Sequence, residues 1–248
     1  MAVLFRRTRG LEEVQTHYCP GCSHGIVHRL LAEVLEEMGE IDNAIAISPV
    51  GCAVFAYKYF AFDGIQAAHG RAPATATGIK RVHPDKLLIS YQGDGDLASI
   101  GAAEIVHAAA RGEKITTIFI NNGIYGMTGG QMAPTTLPGM RATTAPLGRD
   151  VNIQGYPIRV SEMLSTLDGS AYIERVAVNS PANIIKAKKA IRKALETQKA
   201  GIGFSMVEVL SSCPTNWGKN PVDSLNFVKE KMIPYYPLGV FKDKQKEE

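Results

Sequence analysis

Short apolar blocks, most of them closed by glycine or proline, recur along the chain, and their period changes from block to block. Lys86 to Gln92 (KLLISYQ) is mostly apolar and rich in strand formers, the pattern of a strand buried on both faces. Ala44 to Ser48, Ile115 to Ile120 (ITTIFI), Tyr172 to Val178 (YIERVAV) and Phe204 to Leu210 (FSMVEVL) read the same way. Between them the spacing becomes helical. Ile26 to Met38 puts Ile26, Leu30, Leu31, Val34, Leu35 and Met38 on one face and stops at Gly39. Leu97 to Arg111 has the same rhythm at Leu97, Ile100, Ala103 and Val106, with Gly112 as its stop. Ala182 to Thr197 is a basic amphipathic helix whose charges are expected to face solvent, and His69 to Lys80 is a loop entering a helix of small residues. Strands alternating with helices predict an α/β fold, a mostly parallel sheet with helices on both faces. Residues 131–168, rich in Pro, Thr, Gly and Met, lack a clear period and are expected to cover a site or meet a partner.

Length adds one constraint: 248 residues bury a full core and fit one principal domain. The expected division is an N-terminal arm over 1–16, the domain over 17–220, and a frayed or partner-bound tail over 221–248. A net charge of +3 is too mild to argue for nucleic acid. No apolar run has the length of a membrane span and the start has no signal-peptide core, so the expectation is a cytoplasmic protein without a membrane partner.

The stretch from Gly93 to Gly130 carries the chemistry. Gly93 and Gly95 bracket Asp94 between a strand and a helix, allowing a tight turn and close approach of a ligand to the backbone. The following strand delivers Asn121 and Asn122 to the same carboxyl edge, where open α/β sheets bind ligands. A helix N-terminus suits phosphate, and an acidic Asp94 beside it makes sense if a divalent cation lies between carboxylate and phosphate. Mg²⁺ prefers such oxygen ligands, here the Asp94 carboxylate, the Asn122 amide oxygen and a carbonyl near Ile124.

All four cysteines fall in loops at the ends of predicted elements: Cys19 and Cys22 in a Cys-Pro-Gly-Cys turn, Cys52 after a strand, and Cys213 after another. They fit a redox pair at Cys19 and Cys22, a Cys₄ site for zinc or an iron–sulfur cluster, or scattered structural thiols. Disulfides do not suit a cytoplasmic chain. Spacing alone does not choose.

The order of the motifs does. Gly93-Asp94-Gly95-Asp96 followed by Asn121-Asn122 resembles the thiamine diphosphate motif. Cys19-Pro20-Gly21-Cys22, Gly51-Cys52, His69-Gly70-Arg71-Ala72, the Gly93–Asp96 motif, Tyr125 to Gln131 (YGMTGGQ) and Cys213-Pro214 follow the order seen in the thiamine-binding β subunit of 2-oxoacid:ferredoxin oxidoreductases. The resemblance covers roughly residues 17–220 and implies a thiamine diphosphate-binding fold of the diphosphate-binding type. It implies that Asp94, Asn122 and the Ile124 carbonyl hold Mg²⁺, and that Gly93, Gly95, Asp96 and Thr128 attend the diphosphate. It further implies that Cys19, Cys22, Cys52 and Cys213 ligate a [4Fe–4S] cluster, and that His69 and Arg71 border the reacting centre as catalytic residues. Ser23 departs from the family, where glycine is common. His107 is expected to be structural and His83 a solvent-facing turn residue.

The implied reaction is oxidative decarboxylation of a 2-oxoacid to an acyl-CoA and CO₂, with electrons leaving singly through the cluster to ferredoxin. Coenzyme A and the 2-oxoacid are the implied substrates. An α subunit would supply the missing pyrimidine-binding domain, and a γ subunit or ferredoxin-like δ subunit would complete the assembly. A 2-oxoglutarate site asks for a cation, for which Lys58 is the candidate. A branched-chain site asks for an apolar wall, for which Val54 and Phe55 are candidates; these two substrates are favoured over pyruvate. A non-redox thiamine decarboxylase or synthase subunit would share the glycine–aspartate and asparagine motif without needing four loop cysteines. A zinc-stabilised subunit without catalysis would use the cysteines and leave Asp94 and Asn122 unexplained.

Overall fold

Seven strands hydrogen-bond into one sheet, and all five expected from the sequence stand side by side at its centre. A computed structural model describes residues 6–246; residues 1–5 of the expected arm and 247–248 of the expected tail lie outside the described residues. The strands are β1 (Ala44–Ser48), β2 (Asp63–Gln66), β3 (Leu87–Gly93), β4 (Thr116–Asn121), β7 (Ser170–Ala177), β8 (Phe204–Leu210) and β9 (Gly239–Asp243), in spatial order β2-β1-β3-β4-β8-β7-β9. A separate two-stranded ribbon joins β5 (Ile124–Tyr125) to β6 (Gln131–Met132). Within the seven-stranded sheet every pairing is parallel except that of β9 on β7.

Side chains leave each central strand alternately for the two faces. Ile89 and Tyr91 of β3, Ile118 and Ile120 of β4, and Val207 and Val209 of β8 share one core with helix α1 (His24–Met38) and helix α6 (Pro181–Lys199). Leu88, Phe119 and Met206 point the other way, into a core closed by α2 (Ala72–Val82), α3 (Ala102–Ala110) and α5 (Val160–Ser165). The strands are therefore covered on both faces, which is why their sequences read as continuous apolar runs. The basic face of α6 is not wholly solvated. Lys188 pairs with Glu33 at 2.8 Å and Glu37 at 2.7 Å on α1, and Arg192 also pairs with Glu37.

The helix expected over Leu97 to Arg111 forms in two pieces. Asp96–Ile100 is a π-helical turn, closed where the Gly101 N–H donates to the Asp96 carbonyl at 3.0 Å, and α3 follows. The extra residue in that turn rotates the helix. Ile105, Ala108 and Ala109 are buried, while Ile100 and Ala103, expected on the inner face, are exposed. The wide turn also lets two loops meet: a Cβ on Gly70 would lie 2.6 Å from the Gly101 nitrogen, and Gly70 has φ +76°.

The segment over 131–168, which includes the short helix α4 (Val151–Gln154), takes its order from one buried cation. Arg149 donates to the carbonyls of Gly155 (2.8 Å), Thr136 (2.8 Å), Pro134 (3.0 Å) and Tyr156 (3.1 Å), so side-chain periodicity had nothing to record there. The chain after Val222 does not simply trail off. Tyr236 is fully buried, and β9 supplies the antiparallel edge on β7. Among the described residues no helix is long and apolar enough to cross a membrane.

Candidate active site

Four adjacent parallel strands, β1, β3, β4 and β8, end at one sheet edge, and the residue types of interest follow directly from them: Cys52, Asp94, Asn122 and Cys213. Asp94, Asn122 and Ile124 line one cavity of about 160 Å³, with His69 and Thr128 on its rim. Asp94 is 2% exposed. Its Oδ1 accepts from the Gly95 N–H at 2.9 Å, and its Oδ2 from the Gly123 N–H at 2.6 Å and the Thr135 hydroxyl at 2.7 Å. These donors are neutral, and burial outweighs them, pushing the carboxyl up to about 6. A buried acid held this way at a cavity wall is suited to a cation. The Asn122 Oδ1 accepts from the Ile124 N–H at 3.1 Å, a local turn that keeps both residues facing the cavity.

Cys19, Cys22, Cys52 and Cys213 line a second cavity, of about 210 Å³. They come from three separate loops. Ser23, just after Cys22, is tied to the β8 exit by its hydroxyl, 2.7 Å from the Ser212 Oγ and accepting from the Ser212 N–H at 3.1 Å. Burial, together with the neighbouring sulfurs, pushes the Cys22 thiol up to about 11 and the Cys52 thiol up to about 12. Thiols so disfavoured as free thiolates are the kind that a bound metal deprotonates.

The two cavities share a wall. His24, Cys52, Asn122, Gly126 and Met127 line both. Gly126 fits there because it has no side chain: a Cβ would sit 2.9 Å from the Cys52 Sγ and 3.6 Å from the Cys213 Sγ. All four cysteines thus line a cavity built against the one lined by Asp94 and Asn122. A family profile described as "Thiamine pyrophosphate enzyme, C-terminal TPP binding domain" matches residues 49–209. The chain belongs to this thiamine enzyme family.

Within the family, it is a member of the 2-oxoacid oxidoreductase subunits. Ketoisovalerate oxidoreductase subunit VorA of Methanothermobacter thermautotrophicus is 50% identical over 98% of this chain and 51% of that protein. The chain thus spans about half the length of that curated relative. 2-Oxoglutarate synthase subunit KorB of Methanocaldococcus jannaschii is 37% identical over 93% of this chain and 82% of its own. The solved structure of a 2-oxoglutarate:ferredoxin oxidoreductase from Magnetococcus marinus, with 2-oxoglutarate, coenzyme A and succinyl-CoA bound, is similar with a TM-score of 0.79 and 27% identity. That likeness covers 97% of this chain and 85% of the other.

The structure brings most of the expected site residues together and leaves Arg71 out. Asp96 lines the diphosphate cavity, but its carboxylate is engaged in building the walls. It accepts from Gln92 at 2.6 Å, the Gly70 N–H at 3.0 Å and the Val50 N–H at 3.3 Å, and pairs with His69 Nδ1. Arg71 is absent from the cavity lining; its guanidinium turns along α2 to pair with Glu104 of α3. Thr128 reaches the rim, with its hydroxyl donating to the Gln131 side chain. His107 and His83 are exposed, the former on α3 where a structural role was expected.

Three contributors had no usable signal in the sequence. Thr135 holds Asp94 from 41 residues away. His24, in both cavity walls, is fixed by Tyr91 at 2.9 Å and stacked on Tyr18 with ring centroids 4.8 Å apart, and burial pushes it down to about 4. Glu208 approaches the Asn121–Asn122 turn from the neighbouring strand, through the Asn121 amide. Each depends on contacts between distant segments, which residue spacing does not encode.

Proposed function

We propose that this chain is the thiamine diphosphate-binding β subunit of a 2-oxoacid:ferredoxin oxidoreductase, oxidising a branched-chain 2-oxoacid to its acyl-CoA and CO₂. The observation that carries the reading is the shared wall, with Gly126 between a diphosphate-type cavity and a cavity lined by all four cysteines. Asp94, Asn122 and the Ile124 carbonyl are the residues to hold Mg²⁺, and Gly93 lies bare for the diphosphate, whereas Gly95 is covered by the Tyr125 ring. Cys19, Cys22, Cys52 and Cys213 are the ligands for a [4Fe–4S] cluster. All four thiols line one cavity, and four thiolate ligands are the set that a [4Fe–4S] cluster takes.

When bound, the thiazolium supplies the electron sink for decarboxylation and the cluster a one-electron acceptor beside it. The chain's own residues position and exclude. Pro49, Val50, Ala53, Ile124 and Met127 give the cavity its apolar wall. Lys58, the candidate partner for a distal carboxylate, is exposed and lies over the Phe55 ring at 4.8 Å; Lys58 and the two expected apolar candidates, Val54 and Phe55, all lie outside that lining. An apolar substrate side chain fits this wall, in keeping with the similarity to a ketoisovalerate oxidoreductase subunit. His24, neutral because it is buried, stands at the junction of the two cavities with Nδ1 committed to Tyr91. His69 faces the rim of the cofactor cavity as the remaining candidate to contact substrate. An α subunit bearing the pyrimidine-binding domain, coenzyme A, ferredoxin and γ or δ subunits complete the proposed assembly, in the cytoplasm where free thiols persist.

The test is iron and acid-labile sulfide on anaerobically purified protein, with an EPR spectrum after dithionite. About four of each per chain, as one [4Fe–4S] cluster requires, and a reducible signal are the expected result. Zinc, or neither iron nor sulfide, would rule out the one-electron reading.

A further inference from the structure

The middle of β8 carries a fully buried carboxylate, Glu208, in the otherwise uncharged run FSMVEVL. Burying a charge there costs several kcal/mol unless it is paired. The pairing runs both ways. On one side Arg175 of β7, itself fully buried, places Nε 2.9 Å from Glu208 Oε2, and the Ser161 hydroxyl donates to the same oxygen. Arg175 also pairs with Glu162 and packs between the rings of Tyr236 and Phe241, at 5.1 and 4.8 Å. On the other side Glu208 Oε1 accepts from Asn121 Nδ2 at 2.8 Å.

An ionised carboxylate only accepts hydrogen bonds, so Asn121 must turn its NH₂ toward Glu208 and its oxygen away. That oxygen accepts from the Gly123 N–H at 3.2 Å, and the same N–H donates to Asp94 Oδ2 at 2.6 Å. The connection is thus continuous from Arg175 through Glu208 and Asn121 to the turn that carries Asn122 and Ile124. We infer that Glu208, held by Arg175 and Ser161, is a positioning residue that sets the Asn121–Ile124 turn for metal and diphosphate binding. Polar partners behind a ligand set its orientation in this way in other metal sites. The inference rests on the metal–diphosphate reading of the cavity.

Glu208→Gln keeps the shape and lets a side-chain amide present either end to Asn121, so the turn loses its enforced orientation. Thiamine diphosphate binding is titrated against Mg²⁺ in the protein assembled with its partner subunits, with melting temperature and iron content followed alongside. The Mg²⁺ concentration for half-maximal cofactor binding is expected to rise about 10–100-fold in molecules that remain folded and keep their iron. A folded variant with the wild-type Mg²⁺ requirement overturns the inference, even if its melting temperature falls. Should Glu208→Gln fail to fold, Asn121→Ala carries the same expectation and the same refutation, since it leaves the Glu208–Arg175 pair in place. Wild-type protein that binds the cofactor without any Mg²⁺ requirement would overturn the metal reading, and the inference with it.

Discussion

The two cavities on either side of Gly126 are built in opposite ways. The diphosphate cavity draws Asp94, Asn122 and Ile124 from one strand–helix–strand unit, within 31 residues of one another, and its key hydrogen bonds include local turns such as Asn122 to Ile124. The cysteine cavity draws its thiols from residues 19 to 213 and exists only when three separate loops have been brought together. The first is set by the geometry of neighbouring parallel strands. The second depends on the whole sheet and on ties such as Ser23 to Ser212, which span 189 residues. Each site should then survive a point change confined to the other.

Asp94→Ala probes the local site and has the largest expected effect. Mg²⁺-dependent thiamine diphosphate affinity should fall by more than about 100-fold, beyond the usual effect of losing an outer partner, with iron content retained. Loss of iron as well would show that the two cavities do not assemble independently. Cys52→Ser probes the other side. Electron transfer to a viologen dye should fall far more than release of CO₂ from the 2-oxoacid, because Cys52 is expected to act through the cluster. Equal losses of both activities would make the cysteine cavity merely structural.

Gly126→Ala strikes the shared wall. Its methyl would sit 2.9 Å from the Cys52 Sγ, and overpacking of this kind costs about 1–3 kcal/mol. Iron occupancy and cofactor affinity should decline together, on the order of tenfold; a change confined to one of them would place the strain on that side alone. Over a single unit of pH the expected effect is no larger. Burial raises the Asp94 carboxyl from 3.8 to about 6, so the metal-free site favours its protonated form. This group's contribution to apoprotein stability is full below about 3.8 and is lost as pH rises through about 6. Proton and Mg²⁺ compete for the carboxylate, so cofactor affinity should fall roughly tenfold per pH unit below that point. Titrations of both quantities between pH 4 and 8 would check the opposite slopes, and an affinity independent of pH would remove Asp94 from the metal site.

Much of the scaffold was legible in the chain. The strands at Ala44–Ser48 and Phe204–Leu210 lie where their apolar runs place them, because a strand buried on both faces has few alternatives. The helix over His24–Met38 ends at Gly39 with φ +71°, as its spacing implied. The inner face of α3 was not legible, since a π-turn at Asp96–Ile100 shifts the register and the spacing of apolar residues does not announce it. The order of residues 131–168 was hidden for another reason: Arg149 binds backbone carbonyls, which every residue has. The aspartate and asparagine of the diphosphate cavity were visible because their chemistry lies in one short unit. Arg71, drawn to the site by motif order, is held by Glu104 instead, through a contact between two helices.

By itself the sequence determined the residue types at the strand ends, the alternation that buries the sheet on both faces, and the single Cys-x-x-Cys loop. It could do so because each is a local property of backbone conformation and side-chain period. Only the tertiary structure decided that β1, β3, β4 and β8 stand side by side, so that Cys52, Asp94, Asn122 and Cys213 open onto a common edge. It alone put Gly126 between the two cavities and Glu208 behind Asn121. Strand order is fixed by how the helices pack across the faces, a balance of burial over the whole chain that no short stretch records.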